Sequence, residues 1–175
     1  MGISTSLDAN GEGKAVIDIF TTGGTIDKVY FDALSEFQIG PAAIPDMLRE
    51  NNVHVPHRVT QLMRKDSLEL DDADREAIRD AVAASDARCI LVTHGTDTMV
   101  VTGRVLAGIA GKTIVLTGAM IPYAFGSSDG LFNLGSALSL VQVLPAGVYI
   151  AMNGQHFRWD AVRKNRETGV FEATP

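Results

Sequence analysis

Short apolar runs rich in β-branched residues, most of them separated by helical repeats, constrain this chain more than any other feature. The runs fall at residues 15–20, 59–63, 89–93, 113–117 and 148–152, each bounded by Gly, Pro or polar residues. Three helical patterns lie between the later runs. Residues 72–85 carry Ala73, Ala77, Ile78, Ala81 and Val82 on one stripe, with acidic residues in the first turn where the helix dipole favours them. Residues 97–110 align Met99, Leu106, Ile109 and Ala110, and residues 129–144 align Leu131, Leu134, Leu138 and Val141. Strands joined through such helices need right-handed crossovers, which build a mostly parallel sheet covered on both faces. The expected fold class is α/β: a doubly wound, mostly parallel sheet flanked by helices in three layers.

Such sandwiches are of the flavodoxin-like or Rossmann-like kind, and they carry their chemistry where strands give way to helices. The 175 residues suit one domain, expected over residues 15–175 behind a flexible N-terminal segment, 1–14. Residues 27–56 hold one short helical pattern at 44–51, preceded by a stretch without clear periodicity, which is expected to cover a site as a lid. No run approaches the roughly 18 to 20 apolar residues that a membrane span requires. The first residues lack the basic and apolar regions of a secretory signal, so a cytoplasmic location is expected. A net charge of −6 argues against nucleic acid or an anionic membrane surface as partner, leaving a small molecule. The single cysteine, Cys89, excludes an internal disulfide and reads as a buried, inert thiol.

Two polar clusters follow apolar runs in the same manner. Thr21-Thr22-Gly23-Gly24-Thr25 follows the first, and Thr93-His94-Gly95-Thr96-Asp97-Thr98 follows the third. A lone threonine is a poor nucleophile and says little, but two hydroxyl-bearing loops at one sheet edge define a polar pocket. Asp97 has two compatible readings, as the cap of the next helix or as the partner of a substrate ammonium. Gly23-Gly24 either closes a turn or lets the backbone approach a ligand. The dinucleotide fingerprint is absent, and Gly11-Glu12-Gly13-Lys14 fails the phosphate-loop pattern. His54 and His57 have no Cys or acidic third ligand beside them, so no metal and no other cofactor is expected.

Thr22-Gly23-Gly24-Thr25-Ile26 and Thr93-His94-Gly95-Thr96-Asp97-Thr98-Met99 resemble the two signature segments of the bacterial-type L-asparaginases. The resemblance continues in order through residues 63–66, Gly118-Ala119-Met120-Ile121-Pro122, the segment from Ser128 to Leu134, and Val162-Arg163-Lys164-Asn165. It covers roughly residues 15–168. The resemblance implies hydrolysis of the side-chain amide of L-asparagine, with low or secondary activity on glutamine. Thr25 would be the nucleophile on a mobile loop and Tyr30 the residue that orients it, while Thr96, Asp97 and Lys164 would form a rigid second cluster. Gly24, Lys65, Asp66, Ser67, Gly95 and Ala119 would bind substrate, Asp66 through the α-amino group. His94 would have a structural, hydrogen-bonding role. Arg64-Lys65 stand where long members of the family have Ser-Gln against the substrate carboxylate. The chain resembles a short, single-domain form without the second domain of long members, and a homo-oligomer, dimer or tetramer, is expected from the family. The alternative reading is a non-catalytic amino-acid-binding or assembly module on the same fold.

Overall fold

The computed structural model describes residues 15–175, so the expectation for segment 1–14 lies outside the described residues. In chain order the elements are β1 (Ile17–Gly23), β2 (Lys28–Phe31), β3 (Glu36–Ile39), α1 (Ile44–Glu50), β4 (His57–Lys65), α2 (Asp72–Ala84) and β5 (Cys89–Thr93). They continue with α3 (Met99–Leu106), β6 (Thr113–Thr117), α4 (Gly130–Val143), β7 (Gly147–Met152), β8 (Gln155–Arg158), β9 (Val162–Lys164) and β10 (Phe171–Ala173). Six strands form one sheet in the order β4-β1-β5-β6-β7-β8. The first five are parallel, and β8 closes the far edge antiparallel to β7.

Strand alternation sorts the core into two layers. Ile17, Ile19, Leu91, Val115, Tyr149 and Ala151 face α1 and α4, meeting Met47, Leu48, Leu134 and Val141. Ile90, Val92, Ile114, Leu116, Ile150 and Met152 face α2 and α3, meeting Ile78, Val82, Met99 and Leu106. Both faces are thus covered, as the hydrophobic runs require. Ile78 and Val82 of α2 are fully buried, each contributing about 1.5 to 3 kcal/mol. Helix α2 begins with a reciprocal cap, Asp71 and Asp74 each accepting from the other's backbone N–H at 2.8 and 3.1 Å. At the N-terminal ends of the strands, Arg58 of β4 grips the Asp18 carboxylate of β1 with two hydrogen bonds, 2.5 and 2.8 Å. Cys89 is half-buried at the start of β5, and burial pushes its thiol pKa up, which keeps it protonated and unreactive.

Read along the sheet, the parallel strands come second, first, third, fourth and fifth in chain order, so the connections reverse direction between β1 and β5. That reversal leaves a crevice beyond the carboxyl ends of these two strands, the place where open α/β sheets bind ligands. Among the described residues no helix is long and apolar enough to cross a membrane.

Three differences from the sequence reading bear on the site. The stretch before α1 is a hairpin, β2 against β3, joined by a turn in which Ser35 takes a left-handed backbone (φ 51°). Its strands have four residues each, too few to display a period. Strand β1 runs on through Thr21-Thr22-Gly23, so those residues belong to the sheet. Strand β4 bulges near its end: Thr21 pairs with Gln61 and Gly23 with Lys65, so four steps of β4 oppose two of β1.

Candidate active site

Thr21, Thr93 and Thr117 stand abreast in three adjacent strands and mark the level at which β5 and β6 end, β1 running on to Gly23. Beyond them the chain leaves β1 and β5 through glycines that touch. Gly24 has φ +86°, and a Cβ there would lie 2.5 Å from the Gly95 nitrogen. A Cβ on Gly95 would in turn lie 2.6 Å from Ser67 Oγ. No residue with a side chain can occupy either place without parting the loops. The Gly24 N–H donates to the Lys65 carbonyl at 3.0 Å and the Thr22 hydroxyl to the Thr93 carbonyl at 2.9 Å. The loops after β1, β4 and β5 therefore meet as the two threonine motifs require.

Lys164 enters this junction from outside the sheet. It sits in β9, which pairs with β10 so that Lys164 lies opposite Phe171. Val162 and Phe171 are buried in the layer of α2 and α3, and Trp159 packs on Gly103 of α3, where a Cβ would come within 3.0 Å. So anchored, Lys164 Nζ donates to Thr96 Oγ1 and to Asp97 Oδ1, both at 2.8 Å. Its side chain is 15% exposed, and a charge this enclosed needs the carboxylate beside it. Asp97 does not cap α3: the N-cap is Thr98, without a side-chain cap bond. Its carboxylate pairs with Lys164 instead, as the resemblance implied and not as either reading of the residue by itself had it.

Thr25 lies half-buried in a tight helical turn, Thr25–Asp27, immediately after Gly24. Ile26 is buried in the core beside Leu134 and Ala119, which pins the turn. Tyr30 is 51% exposed. Its ring meets Phe37 edge-on at 5.4 Å, and Phe37 packs on Phe125 at 5.5 Å, so its contacts lie along the hairpin.

The cations before Asp66 are engaged elsewhere. Lys65 Nζ binds both oxygens of Asp74 at 2.8 Å, and Arg64 donates to the Ile39 carbonyl at 3.0 Å. Lys65 thus meets the site by its backbone carbonyl, while its ammonium, whose role the sequence left open, turns to Asp74. Asp66 pairs with Lys28 at 3.0 Å and accepts from the Leu68 N–H at 3.1 Å. Burial opposes its charge, but these two partners and the more distant Lys164 outweigh it and hold the carboxyl below its usual range. Ser67 is 1% exposed with its hydroxyl unpartnered, facing the Gly95 backbone. Ala119 packs its methyl into the core, and its neighbour Gly118 accepts from Asn133 Nδ2 at 2.8 Å.

A surrounding shell holds these loops in place. His94 is wholly buried, its Nδ1 2.7 Å from the Gly95 carbonyl and its Nε2 2.7 Å from the Thr102 hydroxyl. Nδ1 donates and Nε2 accepts in a neutral ring, and desolvation pushes the pKa down to about 4. The ring thus links the Gly95 carbonyl to the Thr102 hydroxyl out of reach of solvent. Sequence reasoning gave no role to Arg75, nor to Thr98 and Asp129 within the segments it singled out. Arg75 donates to the Leu70 carbonyl (2.8 Å) and the Thr98 hydroxyl (3.2 Å), and Thr98 donates to the Ser67 carbonyl at 2.8 Å. Asp129 accepts from the Met120 and Ile121 N–H groups (both 3.0 Å) and from the Asn133 and Asn153 amides (3.0 Å each). Burial opposes the charge of Asp129, and these donors together still hold it below the usual carboxylate range. Among the described residues no three His, Cys, Asp or Glu side chains gather as a metal site would need.

A doubly wound α/β sheet with a polar junction at its switch point, where two threonine loops meet a lysine–carboxylate pair, defines the class of this protein by fold and by place of the candidate site. Residues 16–173 match the family model described as Asparaginase, N-terminal. The chain is 31% identical over 172 residues to L-asparaginase 1 of Escherichia coli, covering 91% of this chain and 50% of that protein. Among solved structures it superposes on L-asparaginase I from Vibrio cholerae with a TM-score of 0.81 at 27% identity, covering 91% of this chain and 51% of that one. It also superposes on the thermostable L-asparaginase from Thermococcus kodakarensis with a TM-score of 0.76 at 25% identity, covering 90% and 51%. The chain belongs to the asparaginase family, and it spans about half the length of the curated relatives it matches.

Proposed function

We propose that the chain is an L-asparaginase, hydrolysing the side-chain amide of L-asparagine to L-aspartate and ammonia through a threonine nucleophile and an acyl-enzyme. The observation that carries this reading is the Lys164 ammonium held 2.8 Å from both the Thr96 hydroxyl and the Asp97 carboxylate, at a sheet edge shared with the Thr25 loop. The Thr25 hydroxyl attacks the amide carbon, with Tyr30 orienting it once substrate draws the hairpin inward. Backbone N–H groups around Gly95 and Thr96 stabilise the oxyanion. Ammonia departs, and water attacks the acyl-enzyme to free aspartate. Lys164, fixed by Asp97, sets the acidity of the Thr96 hydroxyl and through it the proton transfers. Gly24, Ser67 and Ala119, all buried, back the loops that receive the substrate. Residues 15–175 act in this reading as one α/β unit. Glutamine is one methylene longer, worth only about 1 to 3 kcal/mol in discrimination, so it is turned over more slowly.

The test is ammonia release by purified protein from L-asparagine and L-glutamine, with Thr25→Ala and Thr96→Ala alongside. The expected result is turnover of asparagine above glutamine, with both variants reduced by orders of magnitude. Aspartate binding without turnover of either amide would replace this reading with a non-catalytic amino-acid-binding module.

A further inference from the structure

Asp27 lies two residues beyond Thr25 and is 3% exposed, an unusual place for a carboxylate that no cation touches. Its N–H, its carbonyl and one carboxylate oxygen keep three pieces of chain together. Its N–H donates to the Gly24 carbonyl at 3.1 Å, closing the turn that presents Thr25. Its carbonyl accepts from the Gly40 N–H at 2.7 Å, fastening the returning end of the hairpin. Its Oδ1 accepts from the Ala43 N–H at 2.8 Å, at the entrance to α1. Gly40 fits closely here, since a Cβ would lie 3.1 Å from the Asp27 carbonyl oxygen and from the Val29 methyls.

We infer that Asp27 is the positioning residue for Thr25, its carboxylate clasping the root of the β2–β3 hairpin to the start of α1 so that the Thr25 turn keeps one orientation. The inference deepens the asparaginase reading and rests on it for the role of Thr25. The hairpin has no place in the six-stranded sheet, so its attachment depends on its root and on a few contacts of its flanks. A carboxylate suits the task because its oxygen accepts from a backbone N–H without a side chain having to cross the crevice. The charged and titratable groups around the same cleft are otherwise engaged: Lys28 pairs with Asp66, Asp46 with Arg49, and Tyr123 with Glu50. Arg64 acts on Asp27 only at a distance. With the acceptor removed, the turn swings, and misplacement of a nucleophile lowers kcat far more than it weakens binding.

Three variants test this in the intact chain. Asp27→Ala removes the acceptor, and Asp27→Asn keeps an oxygen for the Ala43 N–H. Ala43→Pro removes the donor at a residue whose φ of −74° suits proline. Expected are a loss of about tenfold or more in kcat with little change in KM for Asp27→Ala and Ala43→Pro, and near wild-type kcat for Asp27→Asn. Amide hydrogen exchange over residues 25–40 should quicken in the first two and not in the third. Wild-type kcat and unchanged exchange in Asp27→Ala would overturn the inference while leaving the asparaginase reading intact, and Ala43→Pro decides if Asp27→Ala does not fold. A wild-type protein without amidase activity would remove the asparaginase reading, and hydrogen exchange would still report whether the clasp exists.

Discussion

Two buried groups beside the candidate site set opposing pH dependences on stability, and replacing each in turn exposes the other. Asp27 has a pKa pushed up to about 6 from an ordinary 3.8, chiefly by desolvation, against the Ala43 N–H and Arg64, which lower it. An acid raised on folding binds its proton more tightly in the folded chain, so the fold loses stability as pH rises from about 4 to about 6. At about 1.4 kcal/mol per pH unit of difference, the loss above that window is roughly 3 kcal/mol. His94 is pushed down to about 4 from 6.5, again chiefly by desolvation. A base depressed on folding takes up its proton on unfolding, so the fold loses roughly 3 kcal/mol as pH falls from about 6.5 to about 4. The two trends nearly cancel in the wild-type chain. Asp27→Asn should therefore gain up to about 3 kcal/mol over wild type as pH rises from 4 to 7, and His94→Asn should gain a similar amount as pH falls through the same range. Urea denaturation followed by the fluorescence of Trp159, the single tryptophan, measures both. Only the change with pH in each variant-minus-wild-type difference is used, so constant costs of the new amide drop out. Carboxylates held low elsewhere, such as Asp66 and Asp129, drop out likewise. A difference that stays constant from pH 4 to 7 in either variant would refute the assigned burial of that group.

Gly24→Ala should cost about 2 to 3 kcal/mol and abolish turnover together, because the new methyl has only the Gly95 backbone to meet and a left-handed φ to adopt; thermal melts and the ammonia assay check both. Lys164→Met should lower kcat by about a hundredfold or more and shift the melting temperature by only a few degrees, read by circular dichroism. Asp129→Ala strands the Met120 and Ile121 N–H groups and two amides, and urea denaturation should show a loss of about 2 to 4 kcal/mol.

The order of strands and helices was legible because each buried parallel strand is a continuous apolar run and each helix carries its own stripe. The threonine loops were legible for the same reason, being the polar residues that interrupt chain directly after such runs. What escaped was set by pairing and not by pattern. The bulge near the end of β4 exists only in its register with β1, and the Lys65–Asp74 pair only in the approach of α2 to that strand. Strands β9 and β10 have three residues each, so the route that brings Lys164 to Thr96 has no local period. Asp27 is an ordinary acidic residue until the Ala43 N–H is found against it. Arg75 left a trace that could have been followed: it stands three and seven residues before Ile78 and Val82, a charged side chain on an apolar stripe. Such a breach marks a buried partner, here Thr98 and the Leu70 carbonyl.

Where the loops after β1, β4 and β5 meet, backbone lies against backbone and against the small side chains of Thr22, Ser67 and Thr98, and that intimacy restricts how substrate preference can be retuned. A junction whose contacts are backbone and small hydroxyl side chains offers little to enlarge or trim, so altered selectivity has to be sought in the hairpin that overhangs it and in the arm that delivers Lys164. Libraries confined to those two peripheral pieces would vary the walls of the crevice while leaving its floor untouched.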